Sequence, residues 1–421
     1  MNQSNSQAGS FENLGIAPKL LDVLKKLNFT VPTPIQEKAI PIAIAGQDVI
    51  GIAQTGTGKT LAFGVPMIQR LAQVKGKGLV VLPTRELALQ VDEVLRQIGA
   101  SLGLRTAVLI GGAPMGRQLS DVRKNPHIII ATPGRLLDHV EQRSVNLALM
   151  TIIVLDEADR MLDMGFAPQI KRVLKGLPRE RHIMLFSATM PQDIVQIATQ
   201  HMKLPLRVEI ARSGTVAEQI DQELFMVPKE NKLRLLDTLL GQYRGPILIF
   251  SRTKHGARKI CREVSAMGHL AAELHANRSL NQRKEALGGF KSGKYRVLVA
   301  TDIAARGIDV SGIELVINFD IPDDPEDYVH RVGRTGRAGQ VGKAITFVAP
   351  DQRGKLRDIE RLTRKTLSLS QPPELAPARH ASVSVAGRPA RPMQPHHRPA
   401  HAGRVRSRRY GYQGSGRRRY R

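Results

Sequence analysis

Cysteine is almost missing: Cys261 stands alone in 421 residues. An internal disulfide is therefore excluded, which fits a reducing compartment and a cytoplasmic location. With no base partner suggested nearby, the thiol reads as a small core residue rather than a nucleophile. No uninterrupted apolar run approaches the ~18 residues that a membrane span requires. A long basic amphipathic helix that could lie on a lipid surface is lacking too. The stretch Met1–Ser10 is polar and has no charged side chain, so a secretory leader is not expected there. The 12 His show no ligand spacing, and no structural metal is expected. Acid is scarce beside base: 37 Asp and Glu against 63 Lys and Arg leave a formal charge of +26. Such an excess favours polyanions, most simply nucleic acid, although a solvated basic surface has the same arithmetic.

The charge is unevenly placed. Between Gln371 and Arg421 there are twelve Arg, no Lys and a single acid, Glu374. The segment is rich in Pro, Gly, Ser and His and poor in large aliphatics, so it is expected to be disordered. Tyr410, Tyr412 and Tyr420 sit among its arginines, a mixture suited to neutralising phosphate and stacking on bases. A sequence-tolerant RNA tether is the favoured reading, with a solubilising tail as the plain alternative.

From about Gln36 to Val348, apolar strand-like runs alternate with helix-length amphipathic stretches, which implies parallel sheets with crossover helices. Seven runs fall in a first half: Asp48–Ala53, Gly78–Leu82, Thr106–Ile110, His127–Ala131, Thr151–Leu155, Ile183–Ser187 and Leu206–Ile210. Six follow in a second: Glu223–Val227, Pro246–Phe250, Leu270–Leu274, Arg296–Ala300, Leu315–Asn318 and Lys343–Val348. Turn residues between them mark a linker. The expected organisation is a first α/β domain over 1–210, a linker over 211–218, a second α/β domain over 219–365 and a tail over 366–421.

Two stretches carry the chemistry. Ala53-Gln54-Thr55-Gly56-Thr57-Gly58-Lys59-Thr60 follows a strand and precedes a helix expected over Leu61–Gln73. It fits GxxxxGK(S/T) with Ala at the first glycine. The glycines let backbone N–H groups face phosphates at a helix N-terminus. Lys59 would reach the β/γ-phosphates, and the Thr60 hydroxyl would ligate Mg²⁺. About a hundred residues on, Asp156-Glu157-Ala158-Asp159 follows the apolar run Ile152-Ile153-Val154-Leu155. Asp156 is the expected Mg²⁺-associated carboxylate, and Glu157 the group that orients and deprotonates the attacking water.

The literal Asp-Glu-Ala-Asp is the signature of the DEAD-box RNA helicases, and from about Phe11 to Val348 the chain resembles that family. The resemblance implies two tandem RecA-like domains, ATP and Mg²⁺ as cofactors, RNA as partner, and RNA-stimulated ATP hydrolysis coupled to separation of short duplexes or remodelling of RNA–protein complexes. Asn28-Phe29 and Thr33-Pro34-Ile35-Gln36 resemble the adenine-reading motif, though the family has Gly where Asn28 stands; Phe29 would stack on adenine, Gln36 would read its edge, and Phe11 matches the isolated upstream aromatic. His330-Arg331-Val332-Gly333-Arg334-Thr335-Gly336-Arg337 places three arginines at three-residue spacing, which one helical face could aim alike. By resemblance Arg334 and Arg337 are arginine fingers, His330 couples ATP to RNA, and Asp309 contacts the ribose.

The resemblance also implies an RNA track of backbone contacts: Pro83, Thr84 and Arg85, Gly111 and Gly112, Thr132, Pro133, Gly134 and Arg135, and Thr301 beside Asp302. Ser187-Ala188-Thr189 would couple hydrolysis to strand separation, with Asp159 linking it to the ATP site. Departures fall in the second half: Ile249-Phe250-Ser251-Arg252-Thr253 differs from the family's fourth motif, Leu280 stands where Gln precedes Arg283, and His275-Ala276 replaces His-Gly. Phe250–His255 and Arg160–Phe166 resemble the bacterial RhlE-type group. Ribosomal and RNA-degradation assemblies both suit that group. Two other readings stay open at this level: an ATP-gated RNA clamp with little turnover, and a structural RNA-binding component.

Overall fold

The computed structural model describes residues 9–54, 56–210, 220–305, 310, 312–336 and 341–373. The expected linker at 211–218, residues 374–421 of the expected tail, and the expected site residues Thr55, Asp309 and Arg337 lie outside the described residues.

All thirteen apolar runs form strands, within a few residues of their expected ends. In the first lobe these are β1 (Val49–Ile52), β2 (Lys77–Val81), β3 (Thr106–Leu109), β4 (Ile128–Ala131), β5 (Met150–Leu155), β6 (His182–Ser187) and β7 (Leu206–Glu209). In the second they are β8 (Ile220–Met226), β9 (Ile247–Phe250), β10 (Ala271–Leu274), β11 (Val297–Ala300), β12 (Leu315–Asn318) and β13 (Gly342–Val348). A fourteenth, β14 (Ser368–Ser370), pairs with β8 and falls inside the segment that the sequence reading assigned to the tail from 366. Three residues with two exposed side chains leave no alternation to read.

The strands are nearly continuous apolar runs because helices cover both faces of each sheet. In β4, Ile128 and Ile130 point into one core and Ile129 and Ala131 into the other. In β9, Leu248 and Phe250 face one core while Ile247 and Ile249 face the opposite one. Each such fully buried Ile or Leu contributes about 1.5–3 kcal/mol. Cys261 packs half-buried beside the second of these cores, and burial pushes its thiol up to about 11, so it stays protonated at neutral pH.

Every recorded strand pair is parallel. The first sheet runs β3-β4-β2-β5-β6-β1-β7 and the second β10-β11-β9-β12-β13-β8-β14. Counted from β8, the second order repeats the first, so the lobes are two copies of one winding. In the first sheet β5, β6 and β1 are neighbours in that order. The segments that leave their carboxyl ends are therefore side by side, where open parallel sheets bind ligands. Among the described residues, no helix is long and apolar enough to cross a membrane.

Candidate functional site

The phosphate loop leaves β1 and enters the helix Lys59–Leu71, two residues earlier than expected. Gly56 and Gly58 both sit at φ 89°, a left-handed backbone that L side chains resist. The Lys59 ammonium is buried; it donates to the Ala53 carbonyl at 3.1 Å and lies 3.9 Å from Asp156 Oδ1. Thr57 Oγ1 donates to the Gln54 carbonyl at 2.7 Å. Thr60 lies half-buried in the first helical turn.

At the end of β5, Asp156, Glu157 and Asp159 are all buried. Burial pushes Asp156 up to about 6 against the pull of the Lys59 ammonium, and the Glu157 carboxylate adds to the rise. Glu157 caps the helix Ala158–Asp163 with φ 52° and ψ 50°, and its N–H donates to Asp156 Oδ1 at 2.9 Å. Its Oε2 accepts from Arg160 Nη1 at 3.0 Å. Asp159 turns the other way. Its Oδ2 accepts from the backbone N–H groups of Ala188 (2.9 Å) and Thr189 (2.8 Å) and from Thr189 Oγ1 (3.1 Å), while its own N–H donates to Ser187 Oγ at 3.1 Å. The acidic segment after β5 is thus laced to the hydroxyl segment after β6.

On the adenine-reading side, the helix Pro18–Lys26 ends in a Schellman cap. Phe29 N–H donates to the Leu24 carbonyl and Asn28 N–H to the Lys25 carbonyl, with Asn28 at φ 61°. The position requires a left-handed residue, which glycine supplies most readily and Asn tolerates; this accounts for the Asn-Phe departure. Phe29 packs half-buried on the first lobe's core, and Phe11 is buried in it. Gln36 is buried: its Oε1 accepts from Thr33 N–H and its Nε2 donates to the Gly58 carbonyl, each at 2.9 Å. It thus clasps the phosphate loop, and a Cβ on Gly58 would collide with its amide.

The two arginines of the expected RNA track in the first lobe converge on one loop, Gly111–Ala113. Arg85 lies against Gly111 and Gly112, where a Cβ on Gly112 (φ 75°) would strike its guanidinium. Arg135 Nη1 donates to the Ala113 carbonyl at 3.1 Å. Thr84 and Thr132 are buried at the N-caps of the helices Arg85–Gly99 and Pro133–Glu141; Thr84 Oγ1 accepts from Leu87 N–H. Pro133 is buried at the start of the second of these helices, and Gly134 faces open space. The sequence reading missed buried Gln118, whose amide spans Ile110 N–H and the carbonyls of Ile110 and Ala113. Thr301, in the second lobe, follows β11 half-buried.

The arginine motif departs from its expected geometry. The helix Pro325–Val332 stops before Arg334, so no single helical face aims the arginines alike. Arg331 turns into the second lobe: it grips Asp302 through Nε (2.5 Å) and Nη2 (2.7 Å), donates to the Asp320 carbonyl at 2.6 Å, and stacks 5.2 Å from the Phe250 ring centroid. It ties three strand ends together. Arg334 is buried, with Nε on the His330 carbonyl at 3.1 Å. Arg160 of the first lobe lines a small cavity with Asp302, Asp327, His330, Arg331 and Arg334 of the second. Nearby, burial raises the Glu326 carboxyl, with Asp324, Asp159 and Asp163 adding to the rise against a hydrogen bond with Thr189. Arg160 and Glu326 were not singled out as site residues, although the i,i+3 spacing of Glu157 and Arg160 was a usable signal.

A DEAD/DEAH box helicase model matches residues 33–197, and a helicase conserved C-terminal domain model matches residues 231–339. The DEAD-box ATP-dependent RNA helicase CshA of Geobacillus kaustophilus (strain HTA426) is 42% identical over 381 residues, 90% of this chain and 81% of the relative. The solved structure of S. cerevisiae Dbp5 bound to RNA and ADP BeF3 is similar with a TM-score of 0.77 at 31% identity, over 86% of this chain and 95% of that one. Mss116p (NTE and C-tail double deletion) bound to ssRNA and AMP-PNP is similar with a TM-score of 0.81 at 27% identity, over 89% of this chain and 82% of that one.

Proposed function

We propose a division of labour for this protein, which belongs to the DEAD-box family of RNA helicases. It is an ATP-dependent RNA helicase, an enzyme that hydrolyses ATP and binds RNA. In our reading the loop amides at Gly56, Thr57 and Gly58, together with Lys59, hold the phosphates; Thr55 belongs to the same loop. Phe29 and Gln36 take adenine, and Asp309 takes the ribose. Glu157 orients and deprotonates the attacking water, and Arg334 and Arg337 meet the charge that develops on the γ-phosphoryl oxygens. Pro83, Thr84, Arg85, Gly111, Gly112, Thr132, Pro133, Gly134, Arg135 and Thr301 form a track along the RNA backbone, and Ser187, Thr189 and His330 couple the two events.

Mg²⁺ fits the donor set beside the loop. Mg²⁺ commonly takes one or two carboxylates plus substrate phosphates, and Asp156 and Thr60 offer hard oxygens where the phosphates would lie. Among the described residues, no cluster of three or more His, Cys, Asp or Glu offers an all-protein site. When bound, the ion neutralises charge developing on the phosphoryl oxygens. The domain limits in this reading are 1–210 and 219–365, the second extended through β14 to Ser370, with a linker at 211–218 and a tail whose arginines extend the RNA grip. A cytoplasmic location, the bacterial RhlE-type group, and work on ribosomal or RNA-degradation assemblies complete it.

The observation that carries this reading is the junction of three adjacent strand ends: phosphate loop, Asp156–Glu157 and Ser187–Thr189, with Asp159 bonded across the last two. The test is the ATPase rate with and without RNA, measured alongside release of a short labelled duplex. RNA-stimulated turnover with release is expected. Tight ATP-dependent RNA binding without turnover would replace the helicase with a clamp, and ATP-independent binding with a structural component.

A further inference from the structure

Arg160 is 1% exposed and makes one charged contact among the described residues, Nη1 to Glu157 Oε2 at 3.0 Å. Its Nη2 is buried without a hydrogen-bond partner among the described residues. A buried guanidinium left partly unsatisfied is costly, so its retention calls for an explanation. Position supplies one. Glu157 holds a left-handed backbone (φ 52°) at the first residue outside a six-residue helix, and Arg160 lies one turn on, so the two side chains meet on one face. The same guanidinium lines the small cavity that the first lobe shares with His330 and Arg334.

We propose that Arg160 is a positioning residue for hydrolysis: it aims the Glu157 carboxylate at the attacking water and presents that arrangement to the second lobe's His330–Arg334 segment. The inference rests on the reading of Glu157 as the group that orients the water. Arg160 engages the carboxylate at one oxygen, Oε2, through a buried charge-assisted bond, and so helps set the direction in which the carboxylate points. Displacing a catalytic group by about 1 Å can cost about 10²-fold in rate, and that is the scale of effect assigned to this contact.

The experiment uses the full chain and four variants: Arg160→Met, Arg160→Lys, Glu157→Gln and the Glu157→Gln/Arg160→Met double. Steady-state kcat and KM for ATP are measured with saturating RNA, together with RNA affinity in a non-hydrolysable ATP analogue. Arg160→Met should lower kcat by about 10²-fold, with KM and analogue-dependent RNA affinity held within about twofold. Arg160→Lys, which keeps the charge but not the planar fork, should fall between Met and wild type. The double variant should be no slower than Glu157→Gln alone, because Arg160 acts through Glu157. An Arg160→Met kcat near wild type, or a fall in kcat matched by equal losses in KM and RNA affinity, overturns the proposal. A Glu157→Gln variant that still turns over removes the premise instead, and that result is read from the single variant. If Arg160→Met does not fold, Arg160→Lys decides by the same split: a reduced kcat at unchanged KM supports the proposal, and a wild-type kcat overturns it.

Discussion

Arg283 of the second lobe donates from Nη2 to Oε2 of Glu86 in the first at 2.7 Å, and both side chains are buried. Neither is fully satisfied: Arg283 Nε and Glu86 Oε1 lack hydrogen-bond partners among the described residues. Leu280, one turn earlier on the same helix, packs against the first lobe's core. Leu280, which departs from the family pattern, and Arg283 therefore bridge the lobes in this structure. Breaking a buried pair typically costs about 3–5 kcal/mol. Here part of that cost disappears if the lobes separate and water reaches the survivor. Arg283→Ala should therefore weaken lobe closure more than it lowers the melting temperature. Donor–acceptor fluorescence between the lobes, with RNA and an ATP analogue, would show a smaller closed fraction, and the Glu86→Arg/Arg283→Glu swap should regain part of it. Closure unchanged in the single variant would mean the pair is energetically neutral.

Gln36 does two jobs that can be separated. Gln36→Ala removes the bond to Gly58 and one half of the capping box with Thr33. A lost cap costs about 1 kcal/mol, which for a lobe of this size lowers the melting point by roughly 2–4 °C. The KM for ATP should rise about tenfold, as for loss of roughly 1.4 kcal/mol of binding, while the KM for GTP, measured in parallel, should stay unchanged. Equal effects on both nucleotides would leave Gln36 as a clasp on the loop and remove it from adenine reading.

Arg334→Ala should reduce RNA-stimulated hydrolysis by about 10³-fold, the lower end of what a finger contributes. Binding of a fluorescent ATP analogue should persist, because the phosphate loop, Lys59 and Gln36 all belong to the first lobe. Loss of analogue binding in step with hydrolysis would argue that burial of Arg334 serves packing alone.

Thr189→Val deletes the hydroxyl bonded to Asp159 and keeps the side chain's shape. Hydrogen bonds to charged groups contribute about 1.5–3 kcal/mol, enough to loosen the segment after β6 from the acids after β5. Duplex release should fall about tenfold or more, with ATP hydrolysis changed by less than about threefold. Parallel loss of both activities would count against a coupling role.

A chain ending after Pro373 keeps β14 on its sheet and removes twelve Arg. Its affinity for RNA should drop, and the slope of log affinity against log salt should flatten, since each neutralised phosphate contributes about −0.7 for single strands. An unchanged slope would leave the tail a solubilising role.

The alternation of apolar runs with amphipathic stretches was enough to read thirteen strands and their parallel arrangement, because residues buried on both faces must be apolar in β4 and β9 alike. Motif and position after a strand likewise marked Lys59, Asp156 and Glu157, and the family resemblance marked the Ser187–Thr189 segment; their strand ends turn out to be neighbours. The three-residue spacing of the arginines was the weaker guide. Three-residue spacing suggests one helical face, yet the helix ends at Val332 and Arg331 is drawn inward by Asp302, Asp320 and the Phe250 ring.

Local pattern and backbone chemistry thus settled the strands and the phosphate loop, since each depends on residues close together in the chain. Which side chains meet across the molecule was settled by packing. The Arg283–Glu86 bridge joins residues 197 positions apart, and Arg160 shares a cavity with His330 and Arg334 of the other lobe. No periodicity records such pairs; two copies of one winding must come together before a guanidinium finds its carboxylate.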